Sequence, residues 1–492
     1  MSIGSFVKNI QNIMRGDSGI NGDAQRIETM TWMLFLKVYD SKEEDWELYN
    51  DDYESIIPED LRWRNWAVDN MDGEALTGDN LLDFVNNNLF PTLKNLEVNE
   101  FTEKRKLIVK EVFEDTNQYM KDGVLLRKVI NVIDEIDFDD AKEKNAFGHI
   151  YETILKSLQS AGNAGEFYTP RAVTDFCAQM IQPQIGDRVA DLACGTGGFL
   201  TSAISELELK IKSVEDREIL NKSIYGIEKK PLPYLLAVTN MLIHDIDNPN
   251  MYHDNSLAYD VRDYKDSDKF DVIMMNPPYG GTETEGIKIN FPADLRSSET
   301  ADLFMSLIMY RLREDGRAAV VLPDGFMFGT DNVKMSIKQK LINEFNLHTI
   351  VRLPASVFAP YTSITTNILF FDKTHPTETT WFYRVDMPED YKHFSKTKPM
   401  KLEHLDEVRD WWIERLDIED ATTGQPKAKA YSRDEIIANN YNLDLVGFPN
   451  IEEEILSPED TIREYKEKRA SLNAEIDQKL AEIENLLGIK LW

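Results

Sequence analysis

The chain is poor in cysteine and poor in basic residues. Cys177 and Cys194 are its only cysteines in 492 residues, too few for a disulfide framework or a zinc site. Its His, Cys and acidic residues show no ligand-like spacing, so no metal is expected. There is no run of about 18 apolar residues, the length a membrane span needs. Nor does Met1-Ser-Ile-Gly-Ser-Phe6 read as a secretory signal, so a cytoplasmic protein without membrane contact is expected. Lys and Arg number 55 against 87 Asp and Glu, a net charge of −32. Phosphate contacts supply most of the affinity of DNA-binding proteins. A chain this acidic repels nucleic acid at long range unless its basic residues cluster on one face.

What the sequence does contain is centred on two stretches. Asp191-Leu-Ala-Cys-Gly-Thr-Gly-Gly198 reads as a strand end, a Gly-rich turn and a helix start. Such a turn lets backbone N–H groups and a helix N-terminus approach a cofactor closely. Asn276-Pro-Pro-Tyr279 follows the apolar run Phe270–Met275, which suits a buried parallel strand. Paired prolines stop that strand and fix its exit, holding an amide, a bare carbonyl and an aromatic ring at the sheet rim.

Together these stretches resemble two motifs of the S-adenosylmethionine (AdoMet) dependent amino-methyltransferases. Gly165-Glu-Phe-Tyr-Thr-Pro170 and Tyr441-Asn-Leu-Asp-Leu445 narrow the resemblance to the modification (methyltransferase) subunits of type I DNA restriction–modification systems, nearly end to end. The resemblance implies an adenine-N6 DNA methyltransferase acting on a flipped-out base, with AdoMet as cofactor. It also implies a separate specificity subunit (two methyltransferase subunits to each), a restriction/translocase subunit as a further partner, and double-stranded DNA reached through the complex.

The expected fold is α/β. A Rossmann-like seven-stranded methyltransferase sheet occupies residues 151–455, after a helical bundle over 1–150 and before a long helix for subunit contact over 456–492. Strands are expected at Arg188–Leu192, Ser223–Ile227, near Met251–Tyr252, and at Phe270–Met275, Ala318–Leu322, His348–Leu353 and Asn367–Phe371. Helices are expected at Phe147–Leu158, Arg171–Ile181, Leu232–His244 and Asp302–Arg313. Glu43 to Asp60 reads as an acidic connection. Trp46, Trp63 and Trp66 read as core rather than as a nucleic-acid stacking surface. Trp381–Tyr383 reads as part of irregular extensions and Ala421–Lys429 as a polar loop. Ser457-Pro-Glu-Asp460 starts the last helix, whose seam runs Ile462, Tyr465, Leu472, Ile476, Leu480, Ile483, Leu487 and faces either its own core or a partner helix.

Glu166, Phe167, Tyr168, Thr169 and Pro170 are expected to cover the methionine end of AdoMet, as the family implies. Asp191, Ala193, Gly195, Thr196, Gly197, Gly198 and Phe199 form the cofactor loop, with Asp191 orienting it. Glu228, after the second strand, suits the ribose hydroxyls. Asp254-Asn255-Ser256 resembles the family's adenine-contacting segment, and with Asp254 where Gly is usual, either Asp254 or Asn255 makes that contact. The catalytic set is Asn276, Pro277, Pro278 and Tyr279. The amide and the Pro277 carbonyl accept the amino hydrogens, Tyr279 stacks on the base, and Asn276 also borders AdoMet. Phe358 or Tyr361 packs on the target base or in the core, and Asp324 is a further rim candidate. Two rivals are a glutamine-N5 protein methyltransferase, which uses Asn-Pro-Pro-Tyr in much shorter chains, and a non-catalytic assembly subunit, which would show a damaged motif.

Overall fold

The structure is a computed structural model, and it describes residues 3–69, 73–136, 151, 168–359, 362–448 and 458–487. The chain divides into two compact units. One holds residues 1–420 with 426–447, the other 421–425 with 448–492.

The first unit is built on one sheet. Its strands are β1 (Val189–Asp191), β2 (Ile224–Glu228), β3 (Asn250–His253), β4 (Phe270–Met275), β5 (Leu312–Pro323), β6 (Asn346–Arg352), β7 (Thr366–Asp372), β8 (Thr379–Arg384), β9 (Ile418–Glu419) and β10 (Pro426–Ser432). The order is β3-β2-β1-β4-β5-β7-β6-β8-β10-β9. β1 to β5 are mutually parallel, β7 runs against both β5 and β6, and β8 is parallel to β6. The expected seven strands are therefore all present, but the sheet has ten. Trp381–Tyr383 lies inside β8, and the second half of the expected loop forms β10. A β8 that pairs with β6 and β10 needs no clean apolar alternation of its own, because its neighbours satisfy its backbone.

Strand alternation builds two cores, one on each face. Val272, Met274, Ala319 and Val321 join the helices Arg171–Ile181, Gly198–Glu208 and Pro231–Ile243 in one core. Ile273, Met275, Ala318 and Val320 meet Thr300–Arg311 and Asn332–Glu344 in the other. Burying residues on both faces explains why β4 reads as a continuous apolar run.

Helices of residues 3–136 cover the outer side of Pro231–Ile243. Their centre is Asp23–Tyr49, buried without a break from Thr29 to Leu36. Glu43 to Tyr49 belongs to this helix, so the expected acidic connection starts only after it. Glu43 is buried and accepts a 2.7 Å bond from the Tyr53 hydroxyl. Trp46, Trp63 and Trp66 are core residues. Trp63 Nε1 and Lys37 Nζ share the Asp134 carboxylate at 2.8 Å each. Lys42 bridges to Asp245 and Asp247 beyond Pro231–Ile243, and the Tyr151 hydroxyl donates to Leu236 O at 2.6 Å. Tyr151 is the one described residue of the expected helix Phe147–Leu158.

In the second unit Pro458–Leu487 is a 30-residue helix. Ile462, Tyr465, Leu472 and Ile476 of its seam are exposed. Ser457 lies outside the described residues. Among the described residues no helix is long and apolar enough to cross a membrane.

Candidate active site

The motifs converge at the carboxyl ends of the parallel strands. β1 ends at Asp191, which is buried and accepts from Ala193 N at 3.1 Å. Burial, opposed by that bond and reinforced by the charge of Glu228, pushes its carboxyl up to about 8. The loop then turns at Gly195 (φ 53°) and Gly197 (φ 82°). Both lie in the left-handed region that favours glycine. A Cβ at Gly195 would meet nothing within 4 Å, whereas one at Gly197 would press on Met241 at 3.2 Å, so the loop has an open side at Gly195. Cys194 N donates to Ile227 O at 3.0 Å, and Gly197 N donates to Cys194 O at 2.8 Å. The Asn240 amide braces Thr196 O at 3.1 Å and Arg171 braces Gly198 O at 3.0 Å. Neither brace was read from the sequence. Asn240 did leave a signal, a lone amide in the apolar run Tyr234–Ile243.

Gly198 opens the helix Gly198–Glu208. Phe199 is 3% exposed in the core, so its side chain does not line the loop's open side and only its backbone could. Glu228, at the end of β2, accepts from Gly195 N at 2.9 Å through one oxygen and from Lys230 N at 2.7 Å through the other. Asp254 N donates to Glu228 O at 3.1 Å. Its carboxylate accepts from Asn255 N at 2.7 Å and from the Tyr259 hydroxyl at 2.6 Å. Asn255 Oδ1 closes a turn onto Leu257 N at 3.1 Å, and Ser256 Oγ donates to Leu192 O at 2.6 Å. Ser256 therefore ties the segment after β3 to the end of β1.

Asn276 leaves β4 with its amide half-buried, Pro277 buried behind it, and Pro278 and Tyr279 half-buried. Asn276 Nδ2 donates to Thr169 Oγ1 at 2.9 Å. The Tyr279 hydroxyl donates to Asn276 Oδ1, with Val321 O 3.1 Å away as a second acceptor. Burial holds that phenol well above its ordinary range. Pro170 caps the helix Arg171–Ile181, and Tyr168 packs on the main core. Glu166, Phe167 and Tyr361 lie outside the described residues, and Phe358 is a core residue.

Asp324 sits at the same rim, beyond β5. It accepts from Asn367 at 2.6 Å and pairs with Arg352, which also pairs with Asp444 of the Tyr441–Leu445 segment. Among the described residues no group of His, Cys, Asp and Glu could hold a metal ion.

Residues 142–454 match the N-6 DNA Methylase family, and residues 3–133 match the HsdM N-terminal domain. The methylase subunit of the Escherichia coli type I restriction enzyme EcoEI is 48% identical over 100% of this chain and 99% of its own. A modification subunit of a putative type I restriction enzyme from Vibrio vulnificus YJ016 superposes with TM-score 0.78 at 41% identity, over 88% of this chain and 92% of that one. A chain from a structural study of complex assembly and conformational transition of the type I R-M system gives TM-score 0.78 at 32% identity, over 98% of both chains. Identity along the whole length removes the shorter glutamine-N5 rival, and Asn276–Tyr279 is undamaged. The chain belongs to the N-6 DNA methylase family, among the methylase subunits of type I restriction enzymes.

Proposed function

We propose that the open side of the Gly195–Gly198 loop holds AdoMet and that Asn276 presents adenine N6 to it. When bound, the cofactor supplies an electrophilic methyl group on a sulfonium. The chain's residues do the rest by placement. Glu228 takes the ribose hydroxyls, Asp254 or Asn255 takes the adenine edge, and Asp191 sets the loop. Asn276 Oδ1 and the Pro277 carbonyl each accept one hydrogen of the target amine. This draws the nitrogen from planar toward tetrahedral geometry and frees its lone pair for in-line attack. One N–C bond forms, one S–C bond breaks, and one amine hydrogen is lost to water as a proton. Tyr279 offers its ring to the base, which must leave the duplex to arrive there.

The observation that carries this reading is the 2.9 Å bond between Thr169 and Asn276. It unites the segment expected over the cofactor with the amide expected to grip the base, two pieces far apart in sequence. The net charge of −32 supports a partner-supplied DNA grip, and we assign sequence reading to a specificity subunit. The test is methyl transfer from labelled AdoMet to duplex DNA, by this chain alone and with its specificity partner. N6-methyladenine is expected in the paired sample, reduced at least about 100-fold by Asn276→Ala. AdoMet binding without transfer to DNA in either sample would sink the reading.

A further inference from the structure

We infer that the hairpin after β8 grips the phosphate backbone of DNA beside the target base. This rests on the reading that duplex DNA is the substrate. β8 is parallel to β6, so the chain leaves Arg384 at the same sheet end as Asn276. Val385 N donates to Arg352 O at 2.9 Å, and Phe394 N donates to Ser356 Oγ at 2.8 Å. The hairpin is thus seated on the segment that follows β6.

Between Tyr391 and Leu402 the sequence has Lys392, Lys396, Lys398 and Lys401 and no Asp or Glu. The residues it bonds, Arg352 and Ser356, bring no free carboxylate of their own, and Arg352 is paired with Asp324 and Asp444. In a chain of net charge −32 these four lysines form a short run of positive charge without an intervening carboxylate. Reciprocal bonds between Ser395 and Lys398, 3.0 and 3.1 Å, close the turn. Phe394 and Met400 are buried beneath it, while all four lysines are exposed. The rings of Tyr391, Phe394 and His404 pack together under Lys398, whose Nζ stands 3.8 Å over Tyr391. Buried Phe394 and the half-buried Tyr391 and His404 thus hold the turn, and Lys396 stands at its tip. The opposing charges are Glu389 and Asp390 just upstream, Glu403, which pairs with Lys401 at 3.0 Å, Asp386, which pairs with Arg384 and Lys427, and Asp324 and Asp444, which pair with Arg352. Lys392 and Lys396 enter no ion pair among the described residues.

The spacing fits a duplex. β4 and β8 stand four places apart in the sheet, roughly 19 Å at about 4.8 Å per strand. Five to six base pairs span about that length, at about 3.4 Å per step along one strand. Lysines are point charges that hold phosphates without reading bases, so this grip adds affinity and no specificity.

The test uses the assembly of this chain with its specificity partner, carrying Lys392→Gln and Lys396→Gln together. Binding to a target duplex and to an unrelated duplex is measured as salt is varied. Both affinities are expected to fall alike, about tenfold at 0.1 M salt. The slope of log K on log salt should flatten by about 2, near 0.9 for each phosphate contact. AdoMet affinity, measured by calorimetry on the same sample, should stay unchanged and so show an intact fold. An unchanged slope overturns the inference. Weaker association with the specificity partner, with the slope of the intact assembly unchanged, also overturns it and makes the hairpin a protein contact. A wild-type assembly that forms no N6-methyladenine would instead refute the catalytic reading, which this binding measurement does not touch.

Discussion

Asp191 shows how one residue's surroundings set its chemistry. Buried at the end of β1, its carboxyl is pushed up to about 8, so at pH 7 it is mostly protonated. Because the folded pKa lies above the unfolded one, the stability this group contributes is complete below about pH 4 and declines as pH rises toward 8. A cation brought to the loop reverses that preference and expels the proton. AdoMet carries two such cations. Its binding at pH 7 should therefore release close to one proton, seen as a dependence of calorimetric enthalpy on buffer ionisation heat. Asp191→Asn should abolish the release. Equal release in the variant would locate the proton elsewhere.

Among the elements, the short helix Asp324–Phe328 depends on a lysine from another helix. Lys338, on Asn332–Glu344, donates to Met327 O at 2.7 Å and Gly329 O at 2.8 Å and is fully buried. It thereby satisfies carbonyls that a helix end leaves open. Burial lowers its ammonium to about 8. The unfolded chain therefore holds more protons between about pH 8 and 10, and stability rises with pH through this group. Lys338→Met should flatten that rise, a difference of up to about 3 kcal/mol across the window, readable by urea titration at pH 8 and pH 10.

Legibility at the element scale followed burial. β4 and Arg171–Ile181 lie where the apolar pattern puts them, because both are fixed by a core that the pattern reflects. The helix Val214–Ser223 was missed although Ser213 and Asp216 form a full capping box, since its apolar face is short. β8 and β10 were missed because their partners, not their own alternation, make them strands. The placement of the loop, Asn276 and Glu228 at the strand ends was legible because glycine, proline and carboxylate types announce constraint. Asn240 and Arg171 act only through distant backbone carbonyls, and that is tertiary information.

At the scale of the whole molecule, acidity and contact are reconciled locally. Lys42 is buried, and although burial works against its charge, Asp247 and Asp245 outweigh that and raise its pKa. It fastens the helical front to the end of Pro231–Ile243, the helix that carries Asn240. The two carboxylates are half-exposed, so the bridge contributes about 1 kcal/mol. Lys42→Met should lower thermal stability by that order and leave AdoMet affinity within twofold. A large loss of affinity with unchanged stability would mean that the front shapes the loop directly.

The bond from Asn276 to Thr169 has a consequence for the order of events. The amide nitrogen bonds Thr169 and its oxygen accepts from Tyr279, so on the proposed function one side chain joins the cofactor segment to the base-binding ring. On that proposal, whatever settles Thr169 settles the amide too, and the two ligands would share a coupling free energy. By linkage the coupling is symmetric: the factor by which AdoMet tightens the flipped base is the factor by which the flipped base tightens AdoMet. DNA that already holds its adenine out of the stack would then make this chain a better cofactor binder.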